Sequence, residues 1–230
     1  MGNYIVASSK PWHQKVFESI RQNEPSQWIY VATREELDQA ARATAPRYIF
    51  FLHWNWLVPR EIWSAHECVC FHMTDVPYGR GGSPLQNLIV AGLRETKLTA
   101  LRMAEEMDAG PVYAKRPMSL DGRAEEIYLR AGELGWEIIR WMIETSPAPT
   151  PQTGEITLFT RRKPEQSALP LEGNLECLYD HIRMLDAQTY PLAFIDHGDF
   201  RLEFSHAEMQ GDEIHARVAL RRTRSESDSA

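Results

Sequence analysis

Short apolar runs alternate with amphipathic segments along the first half of the chain. The runs of strand length fall at residues 4–7, 27–32, 47–53 and 67–71. The third contains Tyr-Ile-Phe-Phe-Leu, a continuous apolar stretch typical of a strand buried on both faces of a parallel sheet. Helical segments separate the runs, and Thr33 with Glu36 forms a capping box for one of them. This alternation predicts an α/β fold with a Rossmann-like, doubly wound, mainly parallel sheet.

The second half of the chain adds one long helix and a small terminal unit. Residues 124–144 carry the most regular apolar stripe, and a proline-rich link follows them. Beyond the link, residues 175–185 predict a helix, and three strand-like runs lie at 193–196, 201–207 and 213–220. We therefore expect an N-terminal domain at 1–165, a small C-terminal α+β appendage at 166–222 and a flexible tail at 223–230.

Charge and cysteine usage narrow the choice of partners and compartment. The net charge of −7 argues against a broad nucleic-acid-binding surface. Cys68, Cys70 and Cys177 lack the spacing of a zinc knuckle, so we expect reduced thiols and no metal. The start of the chain has no signal-peptide core, and no apolar run approaches membrane-spanning length. The sequence thus predicts a cytoplasmic protein without a membrane partner.

We expect the chemistry of the protein to take place at residues 70–92. An apolar strand breaks at His72, and a glycine-rich turn leads to a helix that we expect Ser83 to cap. Such a turn lets side chains and backbone N–H groups reach a ligand at the carboxyl edge of a sheet. After the first strand, Ser8-Ser9-Lys10 replaces the glycines that a dinucleotide requires, which argues against bound NAD or FAD.

The run His72-Met-Thr-Asp-Val-Pro-Tyr-Gly-Arg-Gly-Gly-Ser-Pro84, followed by Thr-Lys-Leu-Thr at 96–99 and Met-Asp-Ala-Gly-Pro at 107–111, resembles the signature of folate-dependent formyltransferases. The resemblance covers roughly residues 45–220. It implies a Rossmann-like N-formyltransferase that moves a formyl group from N10-formyltetrahydrofolate, its co-substrate, to an amine.

By this resemblance His72 and Asp108 are the catalytic residues. Formyl transfer passes through a tetrahedral oxyanion, so we assign its stabilisation to His72, oriented by Asp108, which could also relay the proton of the amine. Cys70 occupies the position where the family usually has an asparagine, and a thiol is a weak donor. Asn55 or Thr74 could supply the missing hydrogen bond, and a nucleophilic role for Cys70 is a minor alternative.

The resemblance also implies a pterin site built by two loops. Apolar walls and backbone groups suit a flat, amide-like heterocycle. The predicted cofactor-binding residues are Trp54, Asn55, Trp56, Leu57, Val58, Ala104, Glu105, Glu106 and Met107.

For the acceptor, the form of the motif most resembles sugar N-formyltransferases. We expect a nucleotide-linked 4-amino sugar, used for surface polysaccharide, and no nucleic acid, because the chain is acidic and its C-terminal unit is short. The alternatives are a formyltetrahydrofolate hydrolase, a glycinamide ribonucleotide type of enzyme, and a decayed folate-binding module. Residues 192–195 are a candidate homodimer contact. The predicted substrate-binding residues are Lys10, Trp12, Thr74, Arg80, Gly81, Arg161 and Arg162.

Overall fold

The computed structural model describes residues 2–21, 27–188 and 190–223. Its strands are β1 (Asn3–Ala7), β2 (Gln27–Val31), β3 (Tyr48–Phe51), β4 (Cys68–His72), β5 (Arg80–Gly81), β6 (Glu95–Arg102), β7 (Val112–Ser119), β8 (Leu158–Phe159), β9 (Ala193–His197), β10 (Phe200–Gln210) and β11 (Glu213–Arg222). Its helices are α1 (Pro11–Arg21), α2 (Arg34–Ala43), α3 (Arg60–Trp63), α4 (Pro84–Val90), α5 (Ala124–Thr145) and α6 (Leu175–Arg183), with a 3-10 turn at Pro164–Ser167.

A central sheet has the strand order β2-β1-β3-β4-β6-β7. The first four strands in that order run parallel, whereas β6 is antiparallel to β4 and β7 is antiparallel to β6. The continuous apolar run predicted as a central strand becomes β3, whose four residues are all buried. The prediction of a mainly parallel α/β sheet is confirmed, with an antiparallel edge that the apolar pattern did not distinguish.

Two apolar layers cover the faces of this sheet. One is formed with α1, α4 and α5 and contains Phe17, Leu85 and Trp136. The other is formed with α2 and α3 and contains Leu37 and Ile62. Because helices pack on both faces, the sheet is doubly wound, and its carboxyl edge is the usual place for a ligand.

Local capping agrees with expectation at one helix and departs from it at another. Thr33 accepts a hydrogen bond from the backbone of Glu36, and the capping box that opens α2 is present. Ser83 precedes α4 in a left-handed conformation (φ 50°), and its side chain makes no cap. Its Oγ instead accepts a hydrogen bond from the backbone N–H of Arg162 at 3.0 Å. The Ser83 side chain therefore fastens a distant segment rather than its own helix.

The C-terminal segment contains α6 and the antiparallel sheet β11-β10-β9. Ile182, Leu185 and Ala193 belong to the same apolar cluster as α5, so this segment shares the main core. In the candidate dimer segment, Phe194 is buried and Ile195 is exposed. The domain boundaries and the dimer remain predictions. Of the predicted tail, residues 224–230 lie outside the described residues.

Candidate active site

His72 ends β4 at the carboxyl edge of the parallel strands. Its ring is buried between two acceptors, because Nε2 lies 2.8 Å from the Gly79 carbonyl oxygen and Nδ1 lies 3.5 Å from Oδ2 of Asp108. The carbonyl can only accept, so Nε2 carries a hydrogen and Nδ1 faces the carboxylate. The structure therefore brings together the two residues predicted to be catalytic.

Asp108 is held at both its side chain and its backbone. It adopts a left-handed conformation (φ 54°), and its Oδ2 accepts a hydrogen bond from the backbone N–H of Gly81 at 2.9 Å. The side-chain amide of Gln152 donates to the carbonyl oxygens of Asp108 and Gly110 at 2.7 and 2.8 Å. The guanidinium of Arg80 donates to Oε1 of Gln152 at 3.1 and 2.9 Å. Gln152 thus links Arg80 of the glycine-rich loop to the backbone of Asp108.

The glycine loop requires glycine because another chain segment runs against it. Gly81 has φ 109°, and a Cβ there would lie 2.4 Å from the Phe159 carbonyl oxygen. A Cβ on Gly82 would lie 2.5 Å from Cβ of Arg161. This close approach allows β5 to pair with β8. This pairing places Arg161 and Arg162, which follow β8, next to the glycine-rich loop and the cavity described below.

A cavity of about 970 Å³ opens beside His72 and Asp108. Most of the predicted site residues line this cavity, including residues predicted to bind the folate and residues predicted to bind the acceptor. They are Lys10, Trp12, Trp54, Asn55, Trp56, Leu57, Val58, Cys70, His72, Gly81, Ala104, Glu105, Met107, Asp108, Arg161 and Arg162.

Three predicted binding residues do not line this cavity. Thr74 is fully buried and donates from its hydroxyl to the Gly79 carbonyl at 3.3 Å, so it braces the loop. The buried side chain of Arg80 is engaged with Gln152 and therefore has a structural contact in place of a ligand. Glu106 extends toward Arg80, with 3.7 Å between the charged groups, and its side chain is largely exposed. The binding roles of these three residues stay predictions, and the structure shows contacts with the protein for each of them.

Cys70 lies in the cavity wall on the strand face that it shares with His72. Burial, and secondly the charge of Asp108, raise the pKa of its thiol well above the ordinary value. A thiol that stays protonated is a poor nucleophile, which weighs against the thiolate alternative. Asn55, the other proposed substitute for the family's asparagine, is exposed at the rim of the cavity.

Five cationic side chains line the cavity; four of them, Lys10, Arg161, Arg162 and Lys163, form what we call the basic rim, and the fifth is Arg102. Lys10 also lies over the ring of Trp12, with Nζ 5.9 Å from its centroid, and burial lowers the pKa of Lys10. The indole N–H groups of Trp12 and Trp54 are buried without a hydrogen-bond partner among the described residues. These donors and charges are suited to an anionic ligand with carbonyl groups.

Sequence reasoning missed two histidines and the amide of Gln152. Nε2 of His13 lies 2.8 Å from Nδ1 of His53, and His53 lines the cavity. Burial lowers the pKa of His13 to about 4 and, with the charges of His13 and Lys10 contributing less, that of His53 to about 3. His53 carried a usable signal, since it ends an apolar strand just as His72 does. Gln152, in the proline-rich link, carried none.

The described residues contain no group of three or more His, Cys, Asp or Glu side chains placed to hold a metal ion. Among the helices in that part of the chain, none combines the length and the apolar character needed to cross a bilayer.

Comparison with known proteins places the chain in a family. The profile of the methionyl-tRNA formyltransferase C-terminal domain matches residues 164–221. The methionyl-tRNA formyltransferase of Sorangium cellulosum is 30% identical over 166 residues, which cover 68% of this chain and 53% of that protein. The structure of methionyl-tRNA formyltransferase from Clostridium thermocellum superposes with a TM-score of 0.94 at 41% identity, covering 96% of this chain and 100% of that one.

Two more distant structures share the fold. HypX from Aquifex aeolicus, solved in complex with tetrahydrofolic acid, has a TM-score of 0.71 at 18% identity, over 91% of this chain and 39% of that one. A 4-N formyltransferase from Francisella tularensis has a TM-score of 0.67 at 16% identity, over 85% of this chain and 93% of that one.

The chain belongs to the formyltransferase family that includes the methionyl-tRNA formyltransferases. It spans about half the length of the curated relatives that it matches. These relatives overturn our expectation of a nucleotide-linked amino sugar and of no nucleic-acid partner, because they are named for a tRNA substrate. The motif at 72–84 therefore identified the family, whereas its finer likeness to sugar N-formyltransferases did not identify the branch.

Proposed function

We propose that this protein transfers the formyl group of N10-formyltetrahydrofolate to the α-amino group of methionyl-tRNA. The observation that carries the proposal is the His72–Asp108 pair, whose ring nitrogen and carboxylate lie 3.5 Å apart in the wall of a large cavity. A solved relative that covers 96% of the chain bears the name of this activity, which favours tRNA over other amines.

The folate is proposed to bind against the loops at 54–58 and 104–107. Trp54, Val58 and Met103 pack against the apolar layer of α2 and α3, which supports both loops from below. The unpartnered indole N–H of Trp54 provides a donor for a carbonyl of the pterin or its side chain. The cavity of about 970 Å³ lies at the large end of the range that small-ligand sites occupy.

His72 is proposed to act twice in the reaction. The amine nitrogen attacks the formyl carbon, and the carbonyl electrons move to oxygen to form the tetrahedral oxyanion. Because Nε2–H of His72 is engaged with Gly79, Nδ1 is the nitrogen that takes the proton released by the amine. Asp108 stabilises the resulting imidazolium. The Nδ1–H of His72 then faces the oxyanion, and it returns the proton to N10 of the folate as the carbon–N10 bond breaks.

The basic rim supports an acceptor that carries phosphates. Lys10, Arg161, Arg162 and Lys163 surround the same cavity, although the chain as a whole has a net charge of −7. Binding of a polyanion depends on the local field, so the four cations of the basic rim can hold a tRNA end although the chain as a whole is acidic. Trp12 offers a flat ring beside these charges, on which a terminal base could stack.

The proposal is tested by incubating the purified protein with N10-formyltetrahydrofolate and methionyl-tRNA. The bound amino acid is then released from the tRNA and weighed by mass spectrometry. We expect formylmethionine that depends on both reactants, with uncharged tRNA and free methionine as controls. Tetrahydrofolate release at the same rate without an acceptor would indicate the hydrolase instead. Folate binding without release from any acceptor would indicate a decayed site.

A further inference from the structure

A second pair of histidines lies at the cavity, away from the His72–Asp108 pair. His53 is in the cavity wall, and its Nδ1 lies 2.8 Å from Nε2 of the buried His13 on α1. Ser9 donates from its hydroxyl to the His53 carbonyl oxygen at 2.8 Å. His53 has φ 50°, a left-handed conformation uncommon for non-glycine residues, and this hydrogen bond helps to hold it. His53 is therefore held at its backbone carbonyl and at Nδ1 of its ring.

His53 occupies the point of the sheet where ligands of open α/β folds bind. After β1 the chain turns to α1 on one face, and after β3 it turns to α3 on the other, so a crevice opens between the two strands. Phe51 of β3 lies opposite Cys70 of β4. His53 comes two residues after Phe51, and His72 comes two residues after Cys70. The two histidines therefore lie at the same edge of the sheet, at the ends of adjacent strands. Adjacent strands are about 4.8 Å apart.

The two histidines belong to different walls of the cavity. The ring of His53 packs edge-on against Tyr128 of α5, with centroids 5.1 Å apart, and against Trp12 of α1 at 6.2 Å. His72 shares its strand face with Cys70, which packs with the layer of α2 and α3. That layer also supports the loop proposed to hold the folate. The wall with His53 and Trp12 is thus left for the acceptor, and it adjoins the basic rim.

One ring nitrogen of His53 has no hydrogen-bond partner in the part of the chain that the structure describes. In the tautomer where Nδ1–H donates to His13, Nε2 carries a lone pair, and no described residue hydrogen-bonds to it. Burial lowers the pKa of His13 to about 4 and that of His53 to about 3, so both imidazoles are neutral at neutral pH. A neutral acceptor can hold an amine by one of its N–H bonds and leave the amine's own lone pair available for attack.

Resting on the proposed function, we infer that His53, positioned by His13, binds the α-amino group of the acceptor by accepting a hydrogen bond at Nε2. This role differs from that of His72, which acts on the formyl group from the other wall. It assigns the His13–His53 pair to recognition of the acceptor amine.

Two substitutions separate the ring nitrogens of His53. His53→Asn keeps an amide near the position of Nδ1, and asparagine tolerates a left-handed backbone, so contact with His13 can persist. It places nothing at the position of Nε2. His53→Gln reaches the position of Nε2 instead. We expect the asparagine variant to raise KM for methionyl-tRNA about tenfold, the effect of one hydrogen bond, and the glutamine variant to raise it less than about threefold.

The dissociation constant of tetrahydrofolate, measured by calorimetry on the same variants, should change less than about twofold and also reports that the protein is folded. An unchanged KM in the asparagine variant, or an equal loss of folate affinity, would overturn the role of His53. If the unmodified protein formylated no methionyl-tRNA, the proposed function itself would fail and this role with it. Turnover with an unchanged KM would remove the role of His53 alone.

Discussion

The His13–His53 pair predicts how the stability of the protein depends on pH. In the folded protein the pKa of His13 is lowered from 6.5 to about 4, and that of His53 to about 3, chiefly by burial. In the unfolded chain both rings have ordinary values. Between pH 6.5 and about 4 the unfolded chain therefore binds protons that the folded protein does not. Folded-state stability is complete above this window and is lost as the pH falls through it.

The magnitude follows from linkage. Each histidine that titrates only in the unfolded state contributes a slope of about 1.4 kcal/mol per pH unit to the free energy of unfolding. For His13, the depression of the pKa from 6.5 to about 4 corresponds to a loss of roughly 3 kcal/mol across the window. That is a large part of the total stability of a typical domain, roughly 5–15 kcal/mol.

Urea unfolding at pH 7, 6 and 5, compared between the unmodified protein and His13→Gln, measures this effect. Glutamine can keep a polar atom near Nδ1 of His53 but cannot titrate. Between pH 6 and 5 the free energy of unfolding of the variant should therefore fall less steeply than that of the unmodified protein, with a difference in slope of about 1.4 kcal/mol per pH unit. The exposed His197 provides the control, since His197→Gln leaves the buried pair intact. Parallel curves for the unmodified protein and His13→Gln would refute the reasoning, because His13 would then take up its proton in the folded state.

Three further results are expected. Gln152→Leu leaves the Asp108 carbonyl without its donor, so it should destabilise the protein by roughly 2–4 kcal/mol in urea unfolding and lower kcat; full stability would contradict the bracing role. Cys70→Ala should reduce turnover less than about tenfold, because a protonated thiol is a weak donor; a loss as large as that of a catalytic substitution would mean that the thiol participates. Iodoacetamide at pH 8 should label exposed Cys177 in the folded protein and leave Cys68 unmodified, because burial raises the pKa of Cys68 to about 12, and peptide mass mapping distinguishes the two.

Local patterns in the sequence were enough to predict the elements and the edge at which the site lies. The alternation of apolar runs and helices, and the capping box at Thr33, depend on contacts between near neighbours in the chain. His72 could be placed because it ends a strand, and the family resemblance pointed to Asp108, which follows the antiparallel strand β6. These predictions needed no long-range packing.

The remaining features depend on which distant segments meet. The pairing of β5 with β8 brings residue 159 against Gly81, and nothing near either segment indicates the other. In this arrangement Thr74 contacts the Gly79 carbonyl, Arg80 contacts Gln152, and Gln152 donates to the Asp108 carbonyl. The acceptor was misjudged for a related reason, since the net charge of −7 is a sum over the chain and conceals the basic rim at one mouth.

The most direct test of the catalytic pair is single-turnover formylation of methionyl-tRNA by the unmodified protein, His72→Ala and Asp108→Asn. The asparagine keeps an oxygen for the Gly81 N–H and removes the charge that faces His72. We expect the rate of formylmethionine formation to fall by about 10²–10³ in His72→Ala and substantially in Asp108→Asn, with tetrahydrofolate affinity retained. Rates within about tenfold of the unmodified protein for both variants would contradict the assignment of the chemistry to this pair.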